Sequence, residues 1–214
     1  MLIIPAILTN DPDEARSLLA LCEDKVKRIQ IDIIDGEFAN NKTITPVVFE
    51  DSETKVFIDY HLMVNDPINW IAQCARGAGD RVIGQIEMMP NQEAFILKAQ
   101  ELGIDVGLAI DLETPVHKLD HSLFADLDVI LVMSVKAGFG GQEFHHESLE
   151  KIKELARIRD EHGYSYNICD DGGITTAVVD NLAREGADEV AVGKRIFEGD
   201  LEENIEQFKK AAIR

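Results

Sequence analysis

The stretch RIQIDIIDGEF, residues 28–38, reads as a β-strand with polar residues where a buried strand should have none. Ile29, Ile31, Ile33 and Ile34 give it β-branched character, and Gly36 ends it. Side chains alternate along a strand, so Gln30 and Asp32 share one face. Burying a carboxylate there costs several kcal/mol unless something pairs with it. The strand therefore asks for a purpose on its polar face.

Working outward, seven further strand-like runs flank this one: LIIPAIL, KVFIDYHLM, RVIGQIE, DVGLAI, DVILVMSV, YNICD and EVAVG. Between them lie segments with helical spacing of apolar residues, such as Phe95, Ala99 and Leu102, then Leu149, Ile152 and Ala156, then Ile205, Phe208 and Ala212. Asp11-Pro12 and Asp66-Pro67 each place a capping residue before a proline at the first helical position. TPVVFEDSET, after the second strand, can supply barely a turn or two of helix. Eight βα units in about 200 residues imply a parallel sheet, and eight usually close as a (β/α)8 TIM barrel. An open doubly wound sheet would normally carry a glycine-rich turn after the first strand, and here that turn reads AILTNDP. The α/β class with one barrel domain over residues 1–214 is the expectation.

Bulk properties narrow the function classes. The chain is 45% hydrophobic and 29% charged, an ordinary globular composition, with no apolar run of transmembrane length. The N-terminus MLIIPAILTNDPDE lacks a basic region and meets proline and acids too early for a signal peptide. Cys22, Cys74 and Cys169 are odd in number and far apart, which reads as buried thiols in a reducing cytoplasm. A net charge of −19 argues against a nucleic-acid partner. An anionic ligand would need local backbone N–H groups and helix N-termini, because the overall field repels it.

The parity that pairs Gln30 with Asp32 also pairs Asp59 with His61, Gln85 with Glu87, and Asn167 and Cys169 with Asp171. Barrel interiors are normally filled by bulky branched residues, so polar residues near the ends of strands two, three, four and seven suggest a site. Asp32, His61 and Asp171 are the candidates; Asp59, one layer deeper, suits a structural hydrogen bond. Strands two and seven end across the mouth from one another, so Asp32 and Asp171 could move a proton off one face of a carbon and onto the other. The carbanion would need a cation or oriented donors, and His61 beside two aspartates is a set a divalent metal can use. Glycines supply a second constellation: GFGG at 138–141, DGG at 171–173 and GKRIF at 193–197 end three successive strands. Their N–H groups and Lys194 suit a phosphate, whose usual place in such barrels follows strands seven and eight.

With these motifs in view the chain resembles the ribulose-phosphate 3-epimerase family almost end to end. IDIIDGEF, DYHLMVNDP, VGLAIDLETPV, VMSVKAGFGGQEF, DGGI and GADEVAVGKRIF are similar to that family's segments in order and spacing. The resemblance implies a barrel that interconverts ketopentose 5-phosphates at C3 through a metal-stabilised enediolate. It implies Asp32 and Asp171 as acid/base pair and metal ligands, and His61 as a further ligand to Zn, Fe, Mn or Co. It also implies substrate contacts from Met133, Gly138, Phe139, Gly140, Gly141, Gly172, Gly173, Gly193 and Lys194, in a cytoplasmic homo-oligomer.

Departures from the family pattern fall at Ala6, Gln30, Glu37, Gln85 and Lys136-Ala137. Gln30 stands where the family has a metal-binding histidine, and an amide is a weaker oxygen donor, so the metal site is expected to be weakened or lost. Asp35 is expected to brace its loop. Two alternatives stay open: an epimerase for a hexulose 6-phosphate such as allulose 6-phosphate, and a non-catalytic phosphosugar-binding relative. The decarboxylase and hexulose-phosphate synthase group carries a lysine between two aspartates, which DIID lacks.

Overall fold

The computed structural model describes residues 1–212. Its strands are β1 (Leu2–Ile7), β2 (Arg28–Ile34), β3 (Phe57–Met63), β4 (Arg81–Gln85), β5 (Asp105–Ile110), β6 (Val129–Met133), β7 (Asn167–Asp171) and β8 (Glu189–Val192). Every neighbouring pair is parallel, and β8 closes on β1 through Leu2↔Glu189 to Pro5↔Val192. The helices are α1 (Pro12–Cys22), α2 (Ile71–Cys74), α3 (Gln92–Glu101), α4 (Ser148–His162), α5 (Val179–Glu185) and α6 (Leu201–Ala211). The (β/α)8 architecture expected from the sequence is therefore observed. No helix among the described residues is long and apolar enough to cross a membrane.

Alternation on the strands sorts residues into two cores. Ile29, Ile31, Ile33, Tyr60, Leu62, Leu108, Ile130 and Ile168 belong to the shell between sheet and helices. Full burial of each aliphatic side chain among them contributes roughly 1.5–3 kcal/mol before the entropy of ordering is subtracted. Ala6, Ile34, Met63, Ile83, Ala109, Leu131, Met133, Cys169 and Ala191 form a smaller cluster in the barrel interior. Beneath it lies an ionic layer. Arg81 donates to Asp59 (2.6 and 2.8 Å) and to Glu189 (2.6 and 3.2 Å), Arg28 pairs with Asp59, and Asn167 donates to Glu189 at 2.9 Å. Asp59 is thus structural, and Asn167 sits at the far end of its strand from Asp171.

Several local expectations are corrected. Asp11 caps α1 by accepting from the N–H groups of Asp13 and Glu14, but Asp66 adopts φ 48° and makes no such bond. Its carboxylate takes the Asn69 amide instead, and a 3-10 turn (Pro67–Trp70) precedes the single turn of α2. The connection after β2 holds a 3-10 turn at Pro46–Phe49, as the short segment implied, and that after β5 holds two rather than an α-helix. Leu102 follows the end of α3 and is exposed, because the helix stops one residue before its apolar stripe does. Glu87 does not share a strand face with Gln85: β4 ends at Gln85 and Glu87 lies in the next 3-10 turn.

Candidate active site

Pairing sets the register of the site. Asp32 lies opposite His61, Ala6 opposite Gln30, and Met133 opposite Asp171, so the polar side chains rise together at the C-terminal ends of the strands. Asp32, Gln30 and His61 are all buried. Burial of the carboxylates is offset locally by Gln30, whose Nε2 donates to Asp32 Oδ1 at 2.9 Å and to Asp171 Oδ2 at 2.6 Å. His61 Nδ1 stands 3.1 Å from Asp32 Oδ1 and 3.6 Å from Asp171 Oδ2.

Gln85 fixes the other side of the imidazole. In the amide orientation that satisfies its neighbours, Gln85 accepts from His61 Nε2 at 3.2 Å and donates to Ala109 O (3.2 Å) and Glu87 Oε2 (2.8 Å). The proton on Nε2 leaves Nδ1 facing the two aspartates. Burial opposes charge on His61, yet the bond to Asp32 and the charges of Asp32, Asp171 and Glu87 outweigh it and raise its pKa. Burial and then the Asp32 charge push Asp171 up to about 7, against the opposing pull of His61 and Gln30.

These side chains fit a divalent ion. One oxygen from each aspartate and one His61 nitrogen lie within 4.8 Å of one another. Gln30 Oε1, buried beside them, has no hydrogen-bond partner. Two carboxylates, an imidazole and an unsatisfied amide oxygen form a donor set of the kind that first-row metals accept.

A cavity of about 590 Å³ opens above this cluster. Its lining brings together the residues singled out in the sequence: Asp32, Met133, Gly138, Phe139, Gly140, Gly141, Asp171, Gly172, Gly173, Gly193 and Lys194. His61 and Gln30 lie below, outside the lining. Asp35 accepts from the N–H groups of Glu37 (2.8 Å), Phe38 (3.0 Å) and Asn65 (2.7 Å), and so braces the loop after β2. Burial works against its charge, but those three N–H bonds hold its carboxyl below the usual range. The sequence reading did not single out Thr9, Glu14, Leu18 or Glu198, which line the β1–β8 side together with Phe197 of the GKRIF motif. Thr9 follows the end of β1, and that position was the available signal; Glu14 and Glu198 are single acids among forty.

The chain matches the ribulose-phosphate 3 epimerase family over residues 2–197. It is 34% identical over 172 residues to the ribulose-phosphate 3-epimerase of Bacillus subtilis strain 168, covering 79% of each chain. It is 32% identical to that of Treponema pallidum strain Nichols, covering 93% of this chain and 92% of the relative. Among solved structures, the 3-hexulose-6-phosphate synthase of Salmonella typhimurium superposes with a TM-score of 0.71 at 16% identity, over 100% of this chain and 99% of that one. At that identity the likeness concerns the fold alone.

Proposed function

We propose, on the premise that the chain belongs to the ribulose-phosphate 3-epimerase family, that it interconverts D-ribulose 5-phosphate and D-xylulose 5-phosphate. The observation that carries this reading is the convergence of Asp32 and Asp171 from opposite strands onto one amide donor at the floor of the cavity. A module that only bound phosphate would have no use for such a pair. One carboxylate removes the C3 proton, and the other, protonated, returns a proton to the opposite face. The centre inverts and the two groups have exchanged protonation states, so the reverse reaction uses them in reverse. A pair of this kind needs one member protonated near neutral pH, which the raised pKa of Asp171 supports.

The remaining residues bind and shield. Backbone N–H groups at Gly138–Gly141, Gly172, Gly173 and Gly193, with the Lys194 ammonium, hold the phosphate at the far end of the cavity. Ala6, Met63, Met133 and Ala191 give the reacting carbons an apolar wall that keeps water from quenching the carbanion. A divalent ion (Zn, Fe, Mn or Co) held by Asp32, His61 and Asp171 would supply positive charge for the enediolate oxygens.

In deuterated water, ribulose 5-phosphate should gain deuterium at C3 as xylulose 5-phosphate appears in the NMR spectrum. Asp32→Asn and Asp171→Asn should each lower turnover by about 10²–10⁴-fold or more, since an amide cannot act as the base. Binding of inorganic phosphate should persist in both. Absence of exchange with either pentulose phosphate, with added zinc, manganese, iron or cobalt, would overturn the reading.

A further inference from the structure

Gln30 is fully buried, and only half of its amide is used. Its Nε2 donates to both carboxylates, whereas its Oε1 meets no donor. A buried amide oxygen left without a partner costs about 1–3 kcal/mol. The opposite orientation is worse in the metal-free protein, because it would set Oε1 against the oxygens of Asp32 and Asp171. A cation among those oxygens reverses that preference. It repels the N–H groups and gives Oε1 the partner it lacks, at the cost of the two N–H bonds to the carboxylates. The last torsion of a glutamine is broad and roughly two-fold, so the exchange needs no movement of the strand.

We infer that the Gln30 amide is a two-position gate for a divalent ion, with N–H toward Asp32 and Asp171 in the metal-free protein and Oε1 toward the ion when it is bound. The inference deepens the epimerase reading and rests on its metal site. Two consequences follow from the chemistry. An incoming ion must displace two hydrogen bonds to carboxylates, so binding is reversible and weak for a site with two aspartates. The donors are three oxygens and one nitrogen, a harder set than two imidazoles with two carboxylates. Hard sets discriminate less in favour of zinc over manganese.

Calorimetric titration of metal-free protein with zinc and with manganese tests the second consequence. The zinc-to-manganese affinity ratio should be roughly tenfold or more smaller in the wild type than in Gln30→His. Selective ¹⁵N-glutamine labelling tests the gate. The side-chain amide signal of Gln30, identified by its loss in Gln30→Glu, should move when zinc replaces chelator. Should Gln30→His fail to fold, Gln30→Glu serves: it should bind both ions more tightly than the wild type and melt lower without them, because three carboxylates then meet. Equal affinity ratios, an amide signal unmoved by zinc, or a Gln30→Glu protein unchanged in both respects would each overturn the inference. None of these measurements reads turnover. A working epimerase with equal ratios would lose the inference alone, and the expected ratios without exchange at C3 would lose the functional reading alone.

Discussion

Asp171 ends β7 with a carboxylate on one side, an imidazole on another and an amide donor between. Its pKa of about 7, raised from 3.8, has a consequence for stability as well as chemistry. A carboxyl whose folded pKa is raised binds more proton in the native state than in the unfolded chain. Its contribution to stability is therefore complete below about 3.8 and is lost as pH rises through about 7. His61, also raised, contributes in the same direction, losing its share as pH passes upward through its folded pKa. In chelator, the melting temperature of the wild type should fall between pH 4 and pH 8 once the other groups are subtracted. Asp171→Asn removes one titration, so the difference between the two melting curves should shrink toward low pH and grow toward neutral. Calorimetric melts in matched buffers check this, and parallel curves would contradict it.

At the scale of elements, the loop after β6 is held at both ends and across its middle. Ser134 Oγ donates to Asp170 Oδ2 at 2.5 Å and lies 2.5 Å from Ser148 Oγ at the start of α4. Ala137 N–H donates to Asp111 Oδ1 at the end of β5 (2.8 Å), and Gln142 ties back to the carbonyls of Lys136 and Phe139. From the β2 side, Asn41 donates to Gly138 O at 2.8 Å, and a Cβ on Gly138 would come within 2.4 Å of Ala39. Gly173 completes the packing: it adopts φ +64°, and a Cβ there would lie 2.4 Å from Phe144 N. Gly173→Ala should therefore cost at least ~1–2 kcal/mol from the left-handed backbone alone, and more from the clash. Gly140→Ala, whose Cβ would meet nothing within 4 Å, should leave stability near the wild type. Urea denaturation of the two variants separates them, and equal loss in both would contradict the packing argument.

For the whole molecule, closure of the barrel forces the N-terminal ends of β2, β3, β4 and β8 to bury charge together. Arg81 links Asp59 on one side to Glu189 on the other, with every one of these side chains almost free of solvent. Two arginines and two acids balance, so the layer is neutral as a unit and vulnerable as parts. Arg81→Met keeps much of the volume but leaves Glu189 with only an amide partner, and should destabilise the fold by about 3–5 kcal/mol. Denaturant unfolding measures it. A loss below about 1 kcal/mol, as for exposed ion pairs, would mean that the layer is well hydrated in solution.

The sequence by itself determined the strand count, the closed parallel barrel and the face on which Gln30, Asp32 and His61 lie. Those follow from alternation with period two and from eight repeats of one local unit, both local properties of the chain. It also pointed to the cavity glycines, because glycine clusters ending successive strands are legible without coordinates. Only the tertiary structure decided that Gln30 reaches both carboxylates, because Asp171 is 141 positions away and arrives by barrel closure. Pairing between neighbouring strands decided that Asp59 meets Arg28 and Arg81 and that Gln85 orients His61, and closure decided where the β1–β8 side of the cavity lies. The caps show the same division at small scale: Asp11 and Asp66 both precede proline, yet only Asp11 caps its helix. The backbone N–H of Asp66 is bonded to Met88 O, a contact from a neighbouring unit that no local pattern contains.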